Sequence, residues 1–215
     1  MGRRGSTAYS VVIAICISCL ALVPFTFFLI NSLAPTHIPT ISLAKITGKV
    51  VDPSTSEVVQ VVVKVGPSGG CIWTNITNDD DSRCISHIPF KPTSEQLHLE
   101  GQHNENITSC FPVALGKALA LNHVVTALMG ISILAVLVDL MVLEGGASLA
   151  IIHFTVLFMW LTFILETVYI SLLHKRLEDH DTEWEYQVGQ GYWMILAATL
   201  LISSFSCGGN SSFEM

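Results

Sequence analysis

The residues of this chain with chemistry to offer are its cysteines, its histidines and two Asn-x-Thr sequons, and their spacing sorts them. Cys71, Cys84 and Cys110 fall in one polar segment, while Cys16 and Cys19 lie in an apolar run and Cys207 closes another. Cysteines gathered in one segment suit a disulfide in an oxidising compartment. Three cysteines allow three single-bridge pairings, and spacing alone does not choose among them. A Cys71–Cys84 bridge encloses Asn75 and the acidic run Asp79-Asp80-Asp81 in a small loop. The sequons Asn75-Ile76-Thr77 and Asn106-Ile107-Thr108 lie in that same segment and suit N-glycosylation in the secretory lumen.

The histidines offer titration rather than catalysis. His37, His87, His98 and His103 precede a second group, His174 and His180, which stands beside Glu178, Asp179, Asp181, Glu183 and Glu185. Histidine changes charge near physiological pH and neighbouring carboxylates favour imidazolium, so His174 and His180 are the candidate pH-responsive pair. His98 and His103, with Glu100 and Glu105, form the nearest thing to a metal-ligand cluster. Histidines five apart share a helix face poorly, so no metal site is expected. The sequence has no nucleophile elbow, phosphate-binding glycine loop or H-E-x-x-H pattern. No enzymatic activity and no cofactor are expected. A net charge of −7 without a basic run argues against nucleic acid as a partner.

Four apolar stretches must position these residues. From Gly5 to Ala44 there is no Asp, Glu, Lys or Arg, and residues 8–30 are apolar apart from Ser10, Ser18 and Thr26. Residues 118–138 carry no formal charge, residues 147–173 are interrupted by His153 and Glu166, and residues 191–207 form the shortest run. A hydrocarbon core takes about 20 apolar residues, with a range of roughly 17–25. Half the chain (51%) is hydrophobic and 13% is charged, which is low for a soluble domain. Lipid satisfies no backbone hydrogen bond, so each span is expected to be a helix, with polar and small residues turned towards neighbouring helices. The fold class expected is a membrane α-helical four-transmembrane-helix bundle with a small antiparallel β-sheet ectodomain. The first stretch also admits a secretory-signal reading behind Arg3 and Arg4, but it is longer than an h-region of roughly 7–15 residues and no clear A-x-A site follows.

The boundaries expected are a cytosolic tail at 1–7, spans at 8–33, 117–142, 148–173 and 190–207, and a cytosolic turn at 143–147. Extracellular segments fall at 34–116 (β-rich) and 174–189 (acidic), and a cytosolic tail at 208–215. Lysine and arginine counts near the span ends do not fix orientation. The sequons and cysteines do, placing the large loop outside and both termini inside. Within that loop, residues 41–51, the turn formers Asp52-Pro53-Ser54-Thr55-Ser56 and the β-branched run 58–65 read as a hairpin. Inside the spans, Glu166 is costly to bury and should face the bundle, where His123 at the outer end of the second span is a candidate partner.

A first helix, a β-rich loop with G-x-x-G-x-C…C (Gly66, Gly69, Cys71, Cys84) and three further helices resemble the claudin-like tetraspan superfamily, and within it the fungal PalI branch. The stretch from Phe111 to His123 is similar to that family's entry into helix two. Gly189-Gln190-Gly191-Tyr192-Trp193 is similar to its entry into helix four. Claudins carry a tryptophan ahead of the first cysteine; here Trp73 follows it by two residues. Asn122-His123 stands where PalI-like chains tend to have His-Pro. The resemblance implies a non-enzymatic plasma-membrane tetraspan that supports a larger multispan membrane protein in cis, within the lipid bilayer, in ambient-pH signalling. Homo-oligomerisation is a further expectation. The alternative is an adhesion or mating membrane-fusion factor acting through its ectodomain, since fungal fusion proteins share the G-x-x-G-x-C…C loop.

Overall fold

The computed structural model describes residues 20–51, 58–74, 82–97, 107–142, 147–180 and 184–208. Its order begins with α1, described over Leu20–Leu33, followed by four strands: β1 (Ala44–Val51), β2 (Val58–Gly66), β3 (Gly69–Thr74) and β4 (Ser82–Ile85). Two short helices follow, α2 (Ile107–Cys110) and α3 (Val113–Ala118), and then α4 (Leu121–Val142), α5 (Ala147–His180), β5 (Glu185–Val188) and α6 (Gln190–Gly208). Two stretches, Val113–Asp139 and Ala150–Asp179, are long and apolar enough to cross a membrane.

The strands form one antiparallel sheet in the order β4-β3-β2-β1-β5. The expected hairpin is present, with Ala44 opposite Val65 and Val51 opposite Val58. Strict alternation along β1 turns Ala44, Ile46, Gly48 and Val50 inward and Lys45, Thr47, Lys49 and Val51 outward, as a sheet with one buried face requires. The inner face lies against the upper part of α5. Ile46, Val61, Val63 and Ile72 share a core with Tyr169, Leu173, Leu177, Phe90, Phe111 and Trp184. Gly48 leaves room for the Trp184 indole, which a β-carbon there would overlap. A second apolar cluster, Phe28, Val125, Met129, Met159, Ile195 and Ala198, joins α1, α4, α5 and α6 at a lower level.

Three boundaries differ from the sequence expectation. Helix α5 does not stop at residue 173 but continues to His180, because the change to Lys175, Arg176, Glu178 and Asp179 marks exit from an apolar surrounding rather than the end of hydrogen bonding. The second polar segment is therefore not simply a loop. It finishes α5 and adds β5, whose Val188, Gln187, Tyr186 and Glu185 pair with Ala44, Lys45, Ile46 and Thr47. The first segment closes in helix as well as sheet: α2 and α3 both pack on α5, and α4 restarts at Leu121 after a turn in which Leu119 N–H donates to Gly116 O.

Cys71 and Cys84 stand directly opposite one another on β3 and β4 and form the disulfide, with Cα atoms 4.0 Å apart. That chooses among the pairings open at the sequence level. Cys110 is buried, and its thiol donates to the Arg176 carbonyl at 3.5 Å. Replacing Cys71 and Cys84 together by serine is expected to lower unfolding stability by roughly 3 kcal/mol, the unfolded-state entropy of so short a loop. Thermal unfolding of the two proteins in nanodiscs measures it, and equal midpoints would mean the bridge stabilises nothing.

Candidate functional site

The β2–β3 turn and the helix bundle meet in a group of backbone and side-chain contacts that the G-x-x-G-x-C residues organise. Gly66 and Gly69 pair with each other at the ends of the turn through Pro67 and Ser68. A β-carbon on Gly66 would run into the Ala34 carbonyl, so β2 reaches the end of α1 at backbone distance. Ser68, nearly buried, fastens the turn there. Its hydroxyl donates to Ala34 O at 2.7 Å, and it accepts from Thr36 N–H at 3.3 Å. Gly69 has φ 137°, a backbone state that L side chains rarely adopt. Trp73 lies on the outer face with the Lys64 ammonium 4.6 Å from its ring centroid.

Beneath this turn lies a fully buried carboxyl group. Glu166 on α5 is fully buried, and so are Asn31 on α1 and Asn122 at the start of α4. Glu166 Oε1 accepts from Asn122 Nδ2 at 2.6 Å and from Asn31 Nδ2 at 3.4 Å. Helix α6 closes the fourth side: a β-carbon on Gly191 would meet Asn31 Oδ1, and Gly191 N–H donates to Ser42 O at 2.9 Å. Residues from three helices therefore meet at one buried carboxyl group, with α6 against Asn31. Glu166 Oε2, Asn31 Oδ1 and Asn122 Oδ1 accept no hydrogen bond from the described protein. In an apolar interior such a group holds helices in one arrangement, because any other leaves more of it unsatisfied.

The partner expected for Glu166 is corrected by one residue. His123 points outward and is exposed, while Asn122 beside it faces inward. Adjacent helical residues are about 100° apart, so the two cannot both face α5. Asn31 was not anticipated either. The available signal was its type and place, a carboxamide directly after the apolar stretch 8–30. Further polar contacts tie the helices lower down: Ser132 Oγ lies 2.8 Å from Thr155 Oγ1, and Trp160 Nε1 donates to Ser203 Oγ at 2.9 Å. At the α4–α5 turn, Ser148 N–H donates to Asp139 Oδ2 at 2.9 Å, an anion where the first N–H groups of α5 are unsatisfied.

His174, on the extension of α5, stacks on Tyr186 of β5 with centroids 4.7 Å apart. Its Nε2 lies 3.4 Å from Glu178 Oε1, an ion pair when the ring is protonated. Burial, and then Tyr192, push the Tyr186 phenol up from its ordinary value. His174 thus touches the one strand that the second polar segment contributes to the sheet. The side chain of His180, the sequons at Asn75 and Asn106, and the His98–His103 pair lie outside the described residues. Among the described residues no group of three or more His, Cys, Asp or Glu is placed to hold a metal ion. No protein-family model and no curated protein sequence matches the chain.

Proposed function

We propose that the chain is a four-span, claudin-like plasma-membrane protein of PalI type, with both termini inside, that acts without catalysis as a scaffold or auxiliary subunit for a larger multispan protein. The observation that carries this reading is the outward side of α5. Phe154, Leu157, Leu161, Ile164 and Val168 follow one another at intervals of three and four residues, and each is between 41% and 60% exposed. Val124, Ile131, Leu134 and Val138 continue the pattern on α4. A continuous apolar stripe of this kind is a liability in water and an ordinary surface in lipid, where it also meets partner helices.

The β1–β5 pairing supports the topology. Residues 44–47 and 185–188 pair with one another, so they lie on one side of any membrane, and the chain between them must cross it an even number of times. Two stretches of sufficient length and apolarity lie in that interval. With α1 before and α6 after, this supports a count of four.

The test is affinity purification in mild detergent after photocrosslinking from Leu157 or Leu161. Recovery of a larger multispan protein crosslinked in cis is the expected outcome. No such product, together with a defect in mating-cell fusion, would replace the scaffold by the adhesion or fusion reading. The role in ambient-pH signalling rests on the histidines. His174→Ala combined with His180→Ala is expected to weaken the alkaline response in cells, and an unchanged response ends that part of the proposal.

A further inference from the structure

Among the described residues, the outward face of the sheet carries three lysines and a single carboxylate at its margin. Lys45 and Lys64 are directly opposite each other on β1 and β2, and Lys49 lies four residues along β1, opposite Gln60. Like charges placed across a strand pair destabilise it. The only carboxylate whose register puts it on this face among the described residues is Glu185, at the margin, opposite Thr47. The ion pair found among those residues, His174 with Glu178, lies elsewhere. Lys64 is also held in place, donating to Pro39 O at 2.7 Å with its ammonium against Trp73. Its ammonium titrates below the ordinary value, first through burial and then through Lys45. The same face shows apolar side chains: Val62 lies between Lys64 and Gln60, and beyond Lys49 Val51 and Val58 are opposite each other, with Val58 68% exposed.

From this arrangement we infer that the outer face of the sheet is a docking surface for an acidic, valine- or leucine-bearing extracellular segment of a protein partner, gripped by Lys45, Lys49 and Lys64 around Val51, Val58 and Val62. It deepens the scaffold reading, naming the chemistry of the partner's extracellular contact. Carboxylates between Lys45 and Lys64 relieve their repulsion, which gives the complex an electrostatic gain that the free protein lacks. Exposed valines favour a polypeptide over a polysaccharide, and the Trp73 ring is engaged by Lys64 rather than open to a sugar. A lipid headgroup is disfavoured because the opposite face of the sheet is the one packed on α5.

The experiment uses the full chain in phosphatidylcholine nanodiscs and a fluorescent twelve-residue peptide of alternating glutamate and valine. Expected is saturable binding that weakens with salt. Lys45→Ala with Lys49→Ala should weaken it at least about tenfold without lowering the unfolding midpoint, since a repulsion is removed. Lys45→Arg with Lys49→Arg should restore it, and Val58→Ser should weaken it by several fold. No binding, binding indifferent to the lysine pair, or heparin bound as tightly with no effect of Val58→Ser would overturn the inference, the last in favour of a glycan. The two readings fail separately. If the multispan partner still crosslinks to the Lys45→Ala, Lys49→Ala protein at the wild-type level, the docking face is wrong and the scaffold stands. If the peptide binds as expected but no multispan partner is recovered, the reverse holds.

Discussion

Replacing Glu166 by alanine is expected to cost about 2–4 kcal/mol of unfolding stability, while glutamine at the same position should cost less than about 1 kcal/mol. Alanine leaves the Asn31 and Asn122 amide groups facing an apolar gap with their acceptor gone. Each buried donor without a partner costs about 1–3 kcal/mol. Interhelical hydrogen bonds in membranes average only about 0.6 kcal/mol, because the unfolded reference also finds partners. The larger figure applies here because two donors are stranded at once in a sealed position. Glutamine behaves differently. Its carbonyl keeps the acceptor, and its amide N–H groups supply donors beside Asn31 Oδ1 and Asn122 Oδ1, which have none from the described protein. Unfolding of both variants in nanodiscs gives the comparison. Equal losses would show that negative charge, rather than hydrogen-bond geometry, matters at this position.

The second large effect is expected at Gly69. An alanine there must adopt φ near 137° while its β-carbon collides with the Ile85 carbonyl. Strained backbone of this type costs about 1–3 kcal/mol, and the collision adds to it unless β4 moves away. Ile85 is the residue after Cys84, so displacement of β4 pulls at the disulfide. The expected result is a loss of about 3 kcal/mol and a larger fraction of protein whose Cys71 and Cys84 react with maleimide. Gly66→Ala presses on the Ala34 carbonyl instead and should loosen the join to α1 while leaving the bridge formed. If Gly69→Ala matches the wild type in both measurements, the glycine spacing has a cause other than the one argued here.

These two positions illustrate how much was legible before the fold was known. Gly66, Gly69, Cys71 and Cys84 stood out because their types are rare and tightly spaced, and the β-branched run of β2 announced a strand by composition. The apolar stripes of α4 and α5 were equally plain, since about twenty residues with at most one charged side chain have few other causes. Asn31, Asn122 and Glu166 were harder. They come from three helices, no spacing rule connects them, and the choice between Asn122 and His123 depends on a rotation that two adjacent polar residues leave open. Strand β5 was hidden for another reason. Four residues, Glu185 to Val188, carry no alternation strong enough to mark them, and what makes them a strand is β1, far away in sequence. The polar end of α5 looked like loop because helices are usually recognised in membrane chains by apolarity, a property this one loses where it enters water.

The late arrival of β5 also sets an order of assembly. A chain emerging from its amino end can pair β1 with β2, β2 with β3 and β3 with β4 before α5 exists, but the outer edge of β1 waits until the two long helices are in place. During that interval β1 presents unpaired N–H and C=O groups, the kind of edge that other strands and holding chaperones seize. Its occupation by residues 185–188 therefore waits on the helices between being in place. In the topology proposed above, a protein stalled or misoriented in the bilayer would keep an open sheet edge, visible to the machinery that retains unfinished molecules, whereas a finished one conceals it.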